Sequence, residues 1–94
     1  VGGNRQTPTV RPLPVNVAEP VTIRPTRFDQ AKEIADHYRE GQPVIMNLGS
    51  ADADTARRLL DFASGLVYVT AGVLEKVAAG VFLIKPQGAR VNRD

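Results

Sequence analysis

The 94-residue chain predicts an α/β fold: a compact two-layer sandwich, two helices against a four- to five-stranded sheet, in the order β-α-β-α-β-β. Three observations carry that expectation. Two stretches space their apolar residues at helical intervals, around Ala31–Tyr38 and Ala56–Val67. Between them Val44-Ile45-Met46-Asn47-Leu48 is a short apolar run bounded by Pro43 and Gly49. After them, β-branched residues flank Ala79-Gly80, a pattern of paired strands around a tight turn.

In chain order, VGGNRQTPTVRPLPVNVAEP opens with four Pro and two Gly and shows neither period, so residues 1–20 are expected to be a disordered, Pro-rich linker. No initiating Met precedes it, which suggests a piece of a longer protein, with residues 21–94 as the folded domain. Val21-Thr22-Ile23-Arg24 alternates at period two until Pro25 and suits an outer strand with one buried face. The first helix follows, with Asp29 as its expected cap. Its stripe is Ala31, Ile34, Ala35 and Tyr38, and Gly41 and Pro43 stop it.

The run from Val44 to Leu48 is nearly continuous, as in a central strand covered on both faces. Ser50 or Asp52 then caps a second helix. Its apolar positions, Ala56, Leu59, Leu60, Phe62, Ala63, Leu66 and Val67, spread over roughly 160° at 100° per residue. One core contact needs less, so Phe62 with Leu59 and Leu66 is assigned to a subunit interface or to a deeper core position. Strands are expected at Val73–Ala78 and Val81–Lys85. Val81 and Leu83 then face one way, Phe82 and Ile84 the other. If both helices cover one face, Phe82 or its neighbours lie exposed on the second, which on a small domain marks a partner site.

Composition excludes several classes. With no Cys there is no disulfide framework, thiolate nucleophile or cysteine-based zinc site, and one His builds no histidine metal centre. No run reaches the roughly 20 apolar residues that span a bilayer. The pI of about 9.4 invites a nucleic-acid reading. Yet residues 21–94 hold ten Lys or Arg against nine Asp or Glu, so the folded part is near neutral and no basic face is indicated. A small α/β nucleic-acid-binding domain is the alternative, supported by element order and the mildly basic pI and opposed by the near neutrality of the folded part.

No catalytic set assembles. His37 lies off the apolar stripe without a second ligand, and Asp52 and Asp54 stand where capping and the helix dipole favour acids. Ser64 lacks the nucleophile-elbow pattern, and the glycines form no phosphate loop or G-x-x-G clamp. Arg57-Arg58 reads as a solvated helix face. Lys76 and Phe82 fall on adjacent predicted strands, and a cation beside an exposed aromatic suits a peptide carrying acidic and apolar side chains. The chain is expected to be neither an enzyme nor a cofactor binder.

The residues assembled here resemble the C-terminal core domain of the SepF family of bacterial cell-division proteins. The resemblance runs through Pro43–Leu48, Ala56-Arg57-Arg58-Leu59-Leu60-Asp61-Phe62-Ala63-Ser64-Gly65-Leu66, Lys76 and Val81-Phe82-Leu83-Ile84-Lys85-Pro86, and covers about residues 21–88. It implies a cytoplasmic homodimer at the division septum that binds the C-terminal tail of the tubulin-like protein FtsZ. Membrane attachment would come from an N-terminal amphipathic helix without counterpart in this sequence. On the same footing Lys76, Phe82 and Ile84 are the expected tail-binding residues, and Leu59, Phe62 and Leu66 the dimer interface. Gly65 is given a role in helix ending or backbone approach, and Gly80 one in the turn.

Overall fold

A computed structural model describes residues 17–88, 90 and 91. Two helices, α1 (Ala31–Arg39) and α2 (Ala53–Thr70), pack on a mixed four-stranded sheet of β2 (Val21–Ile23), β3 (Val44–Asn47), β5 (Val81–Lys85) and β4 (Val73–Ala78), in that spatial order. A separate two-stranded pair joins β1 (Val17–Ala18) to β6 (Arg90–Val91). Residues 1–16 lie outside the described residues, whereas Val17–Ala18 form a strand.

β2 runs parallel to β3, as a β-α-β crossover through α1 requires, and β3 and β4 both flank β5 antiparallel. The central strands are thus β3 and β5. β3 alternates, with Val44 and Met46 buried and Ile45 and Asn47 half-buried, so only its helix-side face is fully covered. Leu48 leaves the strand for a 3-10 turn, Leu48–Ser50, which the Asn47 side chain closes by accepting from Gly49 N at 3.0 Å.

Asp29 does not cap α1. It sits inside a preceding 3-10 turn, Phe28–Gln30, and its carboxylate pairs with Arg27 at 3.2 Å. The longer Gln30 side chain reaches back instead and accepts from the backbone N–H groups of Thr26 and Arg27. Ala31, Ile34 and Tyr38 are buried and Ala35 half-buried, as the stripe predicts. Asp52 caps α2, accepting from Thr55 N at 2.8 Å, and these hydrogen bonds hold its carboxyl below the usual range. α2 continues through Gly65 to Thr70 and closes with Ala71 in the left-handed region, φ 58°.

The core joins Ile34 and Tyr38 of α1, Leu59, Ala63 and Val67 of α2, and Val44, Met46 and Ile84 of the sheet. At the end of α2 the Tyr38 hydroxyl bonds Thr70 Oγ1, which donates to the Leu66 carbonyl. Gly72 packs directly beneath: a Cβ there would lie 2.5 Å from the Lys85 carbonyl oxygen and against the Tyr38 hydroxyl.

Candidate functional site

The hairpin β4–β5 turns at Ala79-Gly80, where Gly80 takes φ +72°, a conformation L side chains rarely adopt, and its carbonyl accepts from Leu48 N at 2.8 Å. The register sets Val73 opposite Lys85, Leu74 opposite Ile84, Glu75 opposite Leu83 and Lys76 opposite Phe82. It then slips, with Ala78 opposite Val81, so Val77 is the extra residue of a bulge. Directly opposed residues share a face. Leu74, Lys76, Phe82 and Ile84 therefore point to the helices, and Val73, Glu75, Val81, Leu83 and Lys85 to the open side.

That assignment corrects the expected exposure of Phe82. It is half-buried against the helix-side core, and the residues facing away are the half-buried Val81 and Leu83, which is itself buried at 4 % exposure, with Ile45 of β3 beside Leu83 in register. Lys85 and Glu75 form an ion pair at 3.3 Å on this open face. Ile84 has 0 % exposure and is a core residue, so it supports the site from beneath and lines no surface.

Lys76 and Phe82 are brought together as expected. Lys76 projects from the edge strand, exposed, and among the described residues it makes no hydrogen bond or ion pair. Phe82 presents its uncovered part on the same face. Leu74, on the same face of β4, is likewise half-buried on this core, giving the rim of the sheet apolar surface near an unneutralised cation. Such a surface can hold an apolar side chain and a carboxylate from one peptide.

The surplus arc of α2 divides. Leu59 has 0 % exposure and belongs to the core, which removes it from any subunit interface. Phe62 meets Phe28 edge to face, ring centroids 6.3 Å apart, and the Arg58 guanidinium lies 4.4 Å from the centre of the Phe28 ring. The turn before α1 thus absorbs most of that edge. Leu66 remains half-buried in an apolar groove of about 390 Å³ with Ala35, Tyr38, Arg39, Thr70 and Pro86. One turn on from Leu66, Val69 is 77 % exposed, while Tyr68, which leaves the opposite side of the helix from Leu66, is 86 % exposed; sequence reasoning passed over both. Their signal was positional: both fall outside the arc of Leu59, Ala63 and Val67. Among the described residues nothing outside its own helix turn lies within 4 Å of a Cβ built on Gly65, so no close approach among them explains it.

A second hollow of about 590 Å³ is lined by charged and polar side chains of the first helix and its turn, including Asp29, Lys32, Asp36 and His37. Lys32 and Arg39 both bridge to Asp36, at 3.1 and 3.6 Å, and His37 Nδ1 lies 2.9 Å from Gln42 Oε1. These cations alternate with their own acids, which does not favour the nucleic-acid alternative. Among the described residues no group of three His, Cys, Asp or Glu could hold a metal, and no helix is long and apolar enough to cross a membrane.

Fold and site together define a small α/β domain with a surface suited to binding. Residues 21–91 match the family described as Cell division protein SepF. Cell division protein SepF 2 of Streptomyces avermitilis is 40 % identical over 93 residues, covering 96 % of this chain and 44 % of the relative. SepF of Acidothermus cellulolyticus is 40 % identical over 93 % of the chain and 49 % of its own length. For SepF of Clavibacter michiganensis the values are 43 %, 92 % and 52 %. The chain spans about half the length of the curated relatives it matches. It belongs to the SepF family, and it is a cell-division protein carrying the SepF core domain.

Proposed function

We propose that this domain is a non-enzymatic adaptor of septum assembly that dimerises and binds the C-terminal tail of FtsZ. A region outside this sequence would link the bound filaments to the membrane. The observation that carries the reading is the direct opposition of Lys76 and Phe82 on β4 and β5, with Lys76 exposed and unpaired among the described residues. Phe82 receives an apolar tail residue at the sheet rim and Lys76 meets a tail carboxylate. Ile84 holds Phe82 in place from the core. An exposed ion pair contributes about 0–1 kcal/mol, whereas a half-buried aromatic anchor contributes about 2 kcal/mol or more, so Phe82 carries most of the affinity.

The dimer forms through the exposed end of α2, where Val69 follows Leu66 on the side of the groove and Tyr68 projects from the helix's outer side. Phe62 borders this face and Gly65 leaves room on it for a second backbone. Family membership supports a site of action at the septum, with the domain on the cytoplasmic side.

Calorimetric titration with a synthetic FtsZ C-terminal peptide tests the site. The intact domain should bind one peptide per protomer. Phe82→Ala should abolish measurable binding, while Lys76→Gln should weaken it and flatten its dependence on salt, since the charge attraction is gone. Absence of binding by the intact, folded domain would overturn the tail-binding reading.

A further inference from the structure

The peptide site makes no use of the second sheet. β1 runs parallel to β6, with Val17 opposite Arg90 and Ala18 opposite Val91. β1 belongs to the segment entering β2, and β6 to the segment leaving β5. Between β1 and β2 the Glu19 carbonyl accepts from the Gln42 side-chain amide at 3.4 Å, and Gln42 Oε1 in turn meets His37 Nδ1. Val21 N then donates to the Pro43 carbonyl at 3.0 Å, where the main sheet begins. The entering segment is therefore held at three levels: the β2–β3 ladder, one side-chain bond to the loop after α1, and a ladder of two registered pairs.

The outermost level is weak by construction. An isolated two-stranded ribbon is marginal in water, and a few backbone hydrogen bonds are nearly offset by the entropy of ordering the residues that make them. A weak ladder between two segments far apart in sequence has two accessible states, closed and open.

We propose that β1 and β6 form a clasp, a near-balanced conformational switch that seats the segment before β2 and the segment after β5 together and releases them together. Because each strand is the other's partner in a sheet of two, the coupling is reciprocal. A load drawn through the segment before Val17 frees β6, and ordering of the segment that contains β6 holds β1. Opening stops at Val21, where the chain enters the four-stranded sheet and its N–H donates to the Pro43 carbonyl. The entering segment joins that sheet at β2, the edge opposite β4, so the clasp works without disturbing Lys76 and Phe82.

The chain lacks cysteine, which makes the clasp open to a covalent test. Registered neighbours have Cα atoms about 4.8 Å apart, inside the roughly 4.4–6.8 Å that disulfides span. The Ala18→Cys, Val91→Cys variant should oxidise to an intramolecular disulfide several times faster than an Ala18→Cys, Gln87→Cys control. Equal rates overturn the clasp. Hydrogen exchange supplies the second readout, with Arg90→Pro and Val91→Pro introduced together so that whichever residue bonds β1 is lost. Exchange at Val17–Glu19 should quicken by up to about tenfold while β3 and β5 keep their protection, as for a local opening near balance. Unchanged exchange at Val17–Glu19 refutes the pairing. Lost protection throughout the sheet refutes the switch, because the pair would then be part of the cooperative core.

Discussion

Gly72 sits where three elements meet, and its missing side chain is what lets them meet. A methyl group there would lie 2.5 Å from the backbone oxygen of Lys85 and press on the Tyr38 hydroxyl, and backbone does not yield cheaply. Gly72→Ala should destabilise the domain by about 1–3 kcal/mol, a cost typical of overpacking, read as a fall in the denaturation midpoint. Adding Tyr38→Phe removes one of the two obstacles. The double variant should therefore recover part of the loss, a coupling that unrelated sites would not show. Asp52 gives a pH-dependent case. Its folded pKa is depressed by the Thr55 hydrogen bonds, so its stabilisation is present above the unfolded value, about 3.9, and disappears as pH falls through the lower folded value. The Tm gap between the parent and Asp52→Ala should thus be full at about pH 6–7 and shrink on acidification below about pH 4. A gap that stays constant to about pH 2 would mean that the charge on Asp52 plays no part. Residues such as Asp52 were legible because a cap acts within its own turn. Asp29 misled for the same local reason: the rule names it, but the longer Gln30 side chain reaches the free N–H groups first.

The strand β5 marks the limit of what alternation reveals. Period two separates Val81 and Leu83 from Phe82 and Ile84, and the structure keeps that separation. Alternation does not say which pair meets the helices, because both are apolar. The choice is made by the register with β3 and β4 and by the layer that α1 and α2 form, and neither is written in β5 itself. Ile84→Ala should cost about 2–5 kcal/mol, as for a fully buried side chain, while Phe82→Ala should cost distinctly less. Urea titration separates them, and an equal loss for both would place Phe82 as deep as Ile84 and unable to receive a ligand. The second helix repeats the lesson. Its wide arc correctly signalled more than one contact, but Phe62 is met by Phe28, from a turn whose conformation follows no periodic pattern. The bulge at Val77 and the pair β1–β6 were illegible for the same reason: two-residue ladders and single-residue slips fall below the length at which a period can be counted.

At the scale of the whole molecule, the element order and the two-layer arrangement followed from spacing alone, since each helix needs one apolar face covered and the sheet supplies it. That arrangement leaves a surplus of apolar surface. Two helices cover one face of the sheet, leaving Ile45, Val81 and the exposed Val73 and Val77 on the other, and α2 ends with Tyr68 and Val69 in water. A second copy could be drawn to either surface, and the two predict different outcomes for one variant. With the dimer at the end of α2, Tyr68→Ser with Val69→Ser should convert a sedimenting dimer to a monomer at equal concentration without lowering Tm in the monomeric range, because neither side chain is part of the core. Peptide binding per protomer should then be unchanged, as Lys76 and Phe82 are intact. Binding to polymerised FtsZ should nevertheless weaken by about 10²-fold or more, since joining two sites raises apparent affinity only while both can engage one filament. A variant that remains dimeric would move the interface to the open face of the sheet, where Val81→Ser should then be the substitution that separates the copies.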